Sequence, residues 1–238
     1  MKNPITKTHS SHGGFIETKK RFDALFLSGI AALAIGSANL QAQTETNQYV
    51  EIIGGLNSPA STTLDSAVDG GTLSFDTSFD SGIVFGGAYG YEFTESFTGE
   101  FEYIWQTTDA DQYQVANLPT GGEGDVSAVT IMLNALWDRS FGESDRWSLF
   151  GGVGLGFIQE VSSDYEVDGV EYSFDDSGFG FQAMLGIRRE INDRWYWSGE
   201  LKQLFGGSFD AENELDATDI ISLDYDVTSL SFGHGYRF

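Results

Sequence analysis

Large apolar side chains alternate with small or polar ones along most of the sequence beyond residue 43. Between Trp147 and Phe157 every odd position is apolar or glycine, whereas the even positions include one serine and three glycines. Such alternation has the period of a β-strand, and no helical spacing is visible. The chain is therefore expected to fold into strands with one strongly apolar face. The same pattern recurs in residues 97–106, 128–138, 179–188 and 195–205.

The alternation predicts an all-β fold with eight strands. The second face mixes Gly, Ala and Ser with Glu, Lys and Arg, which suits the narrow lumen of an antiparallel up-and-down transmembrane β-barrel whose apolar side chains face lipid. The even number of strands suits closure. The alternative is a soluble sandwich, which buries its apolar face and turns a charged face to solvent. The predicted strands cover residues 49–56, 83–93, 97–107, 126–137, 147–161, 179–191, 195–205 and 230–238.

Two short turns set the register between neighbouring strands. Three-residue turns at 94–96 and 192–194 place apolar residues opposite apolar residues or glycine, and they place small inward residues opposite carboxylates. Small residues thereby leave room for charged side chains in the lumen. The pairs that follow are Ile187 with Gly199, Leu185 with Leu201, Phe181 with Phe205, Gly87 with Tyr103, Gly90 with Glu100 and Ala88 with Glu102.

The spacing of aromatic residues predicts the thickness of the membrane band. Residues 147–157 and 195–205 each begin and end on an aromatic residue, ten steps apart. At about 3.3 Å per step and a tilt of about 40°, ten steps span roughly 25 Å, which is the height of an outer-membrane apolar band. The predicted aromatic girdle comprises Trp105, Trp137, Trp147, Trp195, Trp197 and Phe238.

The composition excludes several classes of protein. The 238 residues include 12 Lys and Arg against 36 Asp and Glu, with a net charge of −24, and no Cys. A nucleic-acid binder needs basic side chains that this chain lacks. Without Cys there is neither a disulfide framework nor a thiolate metal site.

Residues 1–42 are predicted to be a signal peptide that is cleaved on export, after Ala42 or Ala38. The alternative is an N-terminal membrane anchor. Lysines and an arginine precede an apolar run at residues 24–38, which is short for a membrane span and is followed by small residues. Residues 43–238 then form the barrel domain. Residues 1–42 contain five of the 12 basic residues and two of the 36 acidic ones, so the exported product is more acidic than its precursor.

The connections between the predicted strands are alternately short and long. In outer-membrane barrels the short turns face the periplasm and the long loops face the cell surface. The long connections, at about 57–82, 108–125, 162–178 and 206–229, are rich in Asp and Glu and contain no Lys or Arg. The surface is therefore predicted to be an anionic field that attracts divalent cations weakly. The connection 162–178 is expected to be a protruding hairpin around Asp168 and Gly169.

Charged residues on the inward face predict a network in the lumen. Arg188 lies diagonally from Glu200 in the expected register, within reach of a salt bridge. An eight-stranded barrel has barely enough interior for its own side chains, which favours a hydrogen-bonded plug. A gated, cation-preferring pore is the alternative. The predicted network comprises Glu92, Glu100, Glu102, Arg188, Glu200, Lys202 and Arg237.

No catalytic or metal site is predicted. His234 is the one histidine after the leader, so a zinc cluster of histidines is excluded and a serine nucleophile has no other imidazole base. Asp164, Glu166 and Asp168 imitate a calcium-loop spacing, but the Glu at the third position and the hairpin symmetry favour a solvated turn. We therefore expect no cofactor and no specific metal.

The sequence resembles the small eight-stranded outer-membrane barrels of the OmpA transmembrane domain, OmpX and opacity-protein type, often labelled outer membrane protein β-barrel domain or porin family protein. The resemblance rests on residues 149–157, 179–197 and 229–238 and covers essentially all of residues 43–238. It implies a monomer in the outer membrane of a Gram-negative cell, in contact with outer-membrane lipids and lipopolysaccharide. The end of the chain resembles the terminal strand that the barrel assembly machinery recognises, with Leu230, Phe232, Tyr236 and Phe238 at alternate positions.

The expected function is that of a non-enzymatic outer-membrane barrel whose acidic surface loops serve a structural, envelope or adhesion role. A narrow porin-like channel for small solutes is the alternative. A lipid A-modifying enzyme is a third reading, which His234 supports poorly because it lies on the outward face near the predicted periplasmic end.

Overall fold

The computed structural model describes residues 47–60, 62–68, 71–115, 118–120, 123–142, 146–167, 170–213 and 216–238. The predicted signal peptide lies outside them and stays a prediction. No helix in the described ranges is long and apolar enough to cross a membrane. The strands are β1 (Gln48–Pro59), β2 (Thr62–Val68), β3 (Gly71–Phe79), β4 (Gly82–Thr94), β5 (Phe97–Val115), β6 (Leu118–Thr120), β7 (Glu123–Phe141), β8 (Trp147–Val167), β9 (Val170–Glu190), β10 (Trp195–Asn213) and β11 (Asp216–Arg237).

Eight of these strands close an antiparallel barrel. Around the wall they follow the order β1, β4, β5, β7, β8, β9, β10 and β11. The last strand then pairs with the first, from Tyr49 opposite Arg237 to Pro59 opposite Val227, so the barrel wall has no free edge there. The predicted all-β, eight-stranded fold is confirmed.

The barrel strands are longer than the alternation predicted. Strands β5 and β7 to β11 have 19 to 22 residues each, whereas about 9–11 tilted residues cross a bilayer. The wall therefore continues well beyond the membrane. Strands β8 and β9 stay paired as far as Val167 opposite Val170, as the predicted hairpin requires, and its turn residues lie outside the described part.

The first long connection contains a hairpin that was not predicted. Strands β2 and β3 pair with each other, and they join the wall through β11 and β5. The short strand β6 pairs with β5. These segments are rich in Thr, Ser and Asp and lack the strong apolar alternation of the barrel strands, because the same selection for a lipid-facing row does not apply beyond the membrane.

The register in the wall is the one that the short turns predicted. Gly87 lies opposite Tyr103, Gly90 opposite Glu100 and Ala88 opposite Glu102. Between β9 and β10 the confirmed pairs are Ile187 with Gly199, Leu185 with Leu201 and Phe181 with Phe205.

The barrel is apolar outside and polar inside. Leu155 and Phe179 on the outer face are 65% and 71% exposed, whereas Glu102 and Arg188 in the lumen are 1% and 3% exposed. This distribution is the reverse of that in a water-soluble protein, where charged groups rarely leave solvent. It excludes the soluble sandwich, because lipid is the solvent that suits such a surface.

Inward glycines let bulky side chains cross the lumen. A Cβ atom at Gly90 would lie 2.1 Å from the Tyr49 ring, and one at Gly186 would lie 2.2 Å from the Phe150 ring. Only a residue without a side chain fits at such distances. Gly142 has a different role. It follows β7 and has a positive φ of 94° at the start of the turn to β8, a backbone conformation that glycine adopts without steric cost.

Candidate functional site

The lumen contains charged side chains in layers, and Arg188 occupies a layer toward the end that has the short turns. Its Nη1 lies 2.9 Å from Asp138 Oδ1, across the intervening strand β8. The guanidinium is enclosed by aromatic rings, at 4.8 Å from the centroid of Tyr196 and 5.1 Å from that of Phe150. Stacking on rings suits a planar, weakly hydrated cation. Arg188 is therefore held by one carboxylate and several π faces.

The expected diagonal salt bridge between Arg188 and Glu200 does not form. Glu200 pairs instead with Lys202, with 3.0 Å between Glu200 Oε1 and Lys202 Nζ. Lys202 is two residues from Glu200 on the same face of β10. It therefore reaches Glu200 within one strand, whereas Arg188 would have to reach it from β9. Arg188 turns toward Asp138, a residue that the predicted network omitted.

Two buried glutamates receive hydrogen bonds from neutral groups. The Tyr196 hydroxyl donates to Glu51 Oε2 at 2.7 Å, and the Ser198 hydroxyl donates to Glu51 Oε1. The Tyr49 hydroxyl donates to Glu100 Oε2 at 2.6 Å. These contacts satisfy the carboxylate oxygens, since a buried polar group without a partner is costly.

The central layer is one continuous hydrogen-bonded chain. Asn134 Nδ2 donates to Glu100 Oε1 at 3.0 Å, and Gln182 Nε2 lies 2.8 Å from Asn134 Oδ1 and 3.0 Å from Glu102 Oε1. Glu102 in turn accepts from Lys202. The chain runs from β1 to β5, through β7 and β9, back to β5, and across the lumen to β10. We call the side chains that it joins the lumen network: Tyr49, Glu100, Asn134, Gln182, Glu102, Lys202 and Glu200.

Both ends of the lumen also contain cross-strand contacts. At the end with the short turns Arg237 Nε lies 3.0 Å from Glu92 Oε1, and Arg237 Nη1 lies 2.5 Å from Glu190 Oε1. Toward the opposite end Gln106 Nε2 donates to the Tyr225 hydroxyl at 2.8 Å. Strands that are not neighbours in the wall are thus joined at several heights.

Little free space remains between these layers. One cavity between Ile53, Glu102 and Lys202 has a volume of about 20 Å³, and a second between Glu51, Glu100 and Arg188 has a volume of about 10 Å³. Each volume suffices for about one water molecule. Side chains therefore fill most of this part of the lumen.

All seven residues of the predicted network lie in the lumen and take part in the contacts above. The prediction did not include several of their partners, although most share the inward parity of a predicted strand. Tyr49 and Glu51 were missed for another reason: β1 has apolar residues on both faces, with Ile53 buried and Ile52 59% exposed, so parity alone does not identify the inward row. The partners that were missed are Tyr49, Glu51, Asn134, Asp138, Gln182, Glu190 and Tyr196.

Aromatic residues lie near both ends of the apolar band. Trp137, Trp147, Trp195 and Trp197 are 38% to 55% exposed near the short turns, whereas Trp105 and Phe238 are half-buried. Phe157 lies ten residues after Trp147, and its ring centroid is 4.1 Å from that of Phe179. Phe205 lies ten residues after Trp195 and stacks on Phe181, with 4.6 Å between ring centroids.

His234 contacts two tryptophans on the outer face. Its ring lies 4.9 Å from the Trp195 ring and 4.1 Å from the Trp197 ring, and its Nδ1 lies 3.1 Å from the Tyr196 carbonyl oxygen. These contacts give the imidazole a packing role at the membrane boundary. The calcium-like positions Asp164 and Glu166 are described only as backbone of β8, and Asp168 lies outside the described residues. Within the described part, no group of three or more Asp, Glu or His side chains is arranged to hold a metal ion.

A closed barrel with a lipid-compatible exterior and a charged, filled lumen defines the class of eight-stranded transmembrane β-barrels. The chain belongs to the outer membrane protein beta-barrel domain family, whose model matches residues 28–238. The predicted family and the predicted location in the outer membrane are both confirmed.

Solved structures of outer-membrane proteins are similar to this chain at low sequence identity. The outer membrane protein OprG from Pseudomonas aeruginosa is 15% identical, with a TM-score of 0.57 over 83% of this chain and 100% of that chain. Neisserial surface protein A is 13% identical, with a TM-score of 0.48 over 82% of this chain and 100% of that chain. No curated protein matches the sequence.

Proposed function

We propose that this protein is a non-enzymatic outer-membrane barrel that acts through its acidic surface loops, in a structural, envelope or adhesion role. The observation that carries the proposal is that side chains fill the described part of the lumen. The lumen network crosses the barrel, and the cavities beside it have volumes of only about 20 and 10 Å³. A barrel closed in this way presents its loops as the part that meets other molecules.

The charge distribution supports a role for the loops. The connections at 57–82, 108–125, 162–178 and 206–229 contain no Lys or Arg, whereas Asp and Glu are frequent in them. Long strands lift these segments above the membrane. An anionic surface of this kind favours cationic partners and weak condensation of divalent cations.

Adhesion of cells to a polylysine-coated surface tests the role of the loops. Cells that display the wild-type protein are expected to adhere more strongly than cells with Asp210→Asn, Asp216→Asn and Asp219→Asn combined. The matched control neutralises three acidic residues in the short connections at the other end, namely Glu95, Asp145 and Asp193. Equal adhesion by all three strains at equal surface amounts would contradict the proposal.

A narrow cation-preferring channel is the second candidate, and the lumen charges favour it. The described contacts of the lumen include seven carboxylates and three cationic side chains, so this interior has an acidic excess. The carboxylates are Glu51, Glu92, Glu100, Glu102, Asp138, Glu190 and Glu200, and the cations are Arg188, Lys202 and Arg237.

Single-channel recording in planar bilayers separates the two candidates. A filled lumen predicts no stable conductance steps for the wild type. Steady steps whose ion selectivity changes in Glu100→Gln would instead establish the channel, because that carboxylate lies in the middle of the lumen network.

Lipid A modification is the third reading, and it has a direct test. Mass spectra of lipid A from cells that express the wild type and His234→Ala are expected to be identical. A mass shift that only the wild type produces would revive an enzymatic function.

We also propose that the terminal strand is the signal for the barrel assembly machinery. Phe238, Tyr236, Phe232 and Leu230 occupy alternate positions on β11 and its end. Deletion of Phe238 is expected to slow the appearance of folded protein in the outer membrane, measured by pulse-chase with heat-modifiable migration as the readout.

A further inference from the structure

Four arginines lie on the outer surface at the end of the barrel that has the short turns. Arg139 is near the end of β7, Arg146 precedes β8, Arg189 is near the end of β9 and Arg194 precedes β10, and all four are exposed. We call them the arginine arc. Every other Lys or Arg in the described ranges lies in the lumen with an ion pair, namely Arg188, Lys202 and Arg237.

Two members of the arginine arc lie on the lipid-facing side of the wall. Arg139 is opposite Leu149, and Arg189 is opposite Trp147, so the outward residues of β8 separate the two arginines. The lateral separation is two strand spacings, about 10 Å. The Arg189 guanidinium lies 5.1 Å from the centroid of the Trp147 ring. Exposed tryptophans mark the headgroup region in such barrels, so both arginines lie at headgroup depth.

The acidic residues next to Arg139 and Arg189, namely Asp138 and Glu190, pair with Arg188 and Arg237 in the lumen. The other acidic groups nearby lie in the turns. No ion pair joins the arginine arc to a carboxylate of the described residues, and Arg194 Nη1 instead lies 3.0 Å from the Tyr236 hydroxyl. Asp193 is exposed beside Arg194, and the sequence places Glu143 and Asp145 in the turn before β8, outside the described residues. On the opposite side of the rim the turn between β4 and β5 contains Glu95 and no basic residue. The rim therefore has positive charge at lipid depth on one side.

We propose that the arginine arc binds the headgroups of anionic phospholipid in the periplasmic leaflet. Guanidinium groups bind phosphate oxygens with paired hydrogen bonds, and they do so best where water is partly excluded. The ligand must present its charge beside Leu149 and Trp147, which are 49% and 38% exposed on the lipid-facing wall. A lipid headgroup meets that requirement, whereas a soluble anionic polymer reaches only the turn residues Arg146 and Arg194.

Quenching by brominated lipids tests the proposal in vesicles of the full barrel. One variant keeps Trp147 and replaces the other four tryptophans with Phe. A reference variant has no native tryptophan and contains Phe93→Trp on β4, which is opposite β9 in the closed wall, where Phe93 is 60% exposed. Each is reconstituted in mixed phosphatidylglycerol and phosphatidylcholine, with one lipid or the other brominated.

The expected result is local enrichment of phosphatidylglycerol at Trp147, up to roughly fivefold for each arginine engaged. Combined Arg139→Gln and Arg189→Gln should abolish the enrichment, whereas Arg139→Lys and Arg189→Lys should retain most of it. Should the Gln variant fail to fold, sodium chloride at about 1 M, where the screening length is about 3 Å, should remove the enrichment from the parent protein. Equal quenching by both lipids at Trp147, or the same enrichment in the Phe93→Trp reference variant, would overturn the proposal.

Discussion

At the scale of single residues, the lumen depends on pairs of positions that fit each other. Glycines on the inner face leave space for rings, as Gly90 does for Tyr49, and that ring then places its hydroxyl on Glu100. Burial of a carboxylate is tolerable only when its oxygens accept hydrogen bonds. The missing side chain at Gly90 therefore makes room for the ring that stabilises the buried carboxylate of Glu100.

Gly90→Ala should destabilise the barrel by about 1–3 kcal/mol, the typical cost of overpacking. The new Cβ would lie 2.1 Å from the Tyr49 ring, which is fully buried and whose hydroxyl donates a hydrogen bond to Glu100. Gly54→Ala is the matched control, because a Cβ there meets nothing within 4 Å. Urea unfolding in lipid vesicles, followed by tryptophan fluorescence, measures both. Equal midpoints for the two variants would count against the packing explanation.

Lys202→Met should lower the free energy of unfolding by about 3 kcal/mol, as when one partner of a buried ion pair is removed. The substitution leaves Glu102 and Glu200 without the cation that they share. Adding Glu102→Gln should recover part of the loss, with a coupling energy of about 1–3 kcal/mol in a double-mutant cycle. If the two losses are simply additive, the contact contributes nothing to stability.

At the scale of the strand, the two faces meet different surroundings: lipid on the outside and packed side chains of the lumen on the inside. Outward residues of β8 such as Val153 and Leu155 are 57% and 65% exposed on the lipid-facing side, whereas the inward Phe150 and Ile158 are almost completely buried. The alternation is regular on the lipid side because every outward position meets the same hydrocarbon. It is irregular inside, where each position meets different neighbours.

Val153→Arg should cost about 2–4 kcal/mol, because the residue lies near the middle of the apolar band, whereas the same change near the interface costs about 0–1 kcal/mol. Phe141→Arg is the interfacial control, at the end of β7 where the side chain is 45% exposed. Reversible unfolding in vesicles gives both values. A cost that does not depend on depth would contradict the placement of the apolar band.

At the scale of the whole molecule, closure makes the barrel one cooperative unit. Strand β1 pairs with both β4 and β11, so the strands between the termini form a continuous ring. Opening the ring would expose backbone groups to lipid, where no water replaces their hydrogen bonds. The lumen contacts join opposite walls of the ring and add resistance to collapse or shear.

The purified protein should therefore migrate differently in SDS gels before and after boiling. The closed ring resists SDS at room temperature, and heating supplies the energy to break it. The C-terminal truncation that removes residues 226–238 is the control, since it removes the pairing of β11 with β1 and should abolish the difference. Identical migration of the intact protein under both conditions would contradict a closed barrel.

The sequence by itself determined the eight strands, the outward rows of every barrel strand except β1, and the register beside the short turns. Contact with lipid imposes one requirement at every second position, and a turn of fixed length transmits register to the next residue. Only the tertiary structure decided which lumen charges meet. Arg188 selects Asp138 rather than Glu200, and Glu51 receives Tyr196 and Ser198 from β10, because closure brings together strands that are far apart in the chain. Such pairings depend on the shape of the enclosed space, and a local sequence pattern contains no information about that shape.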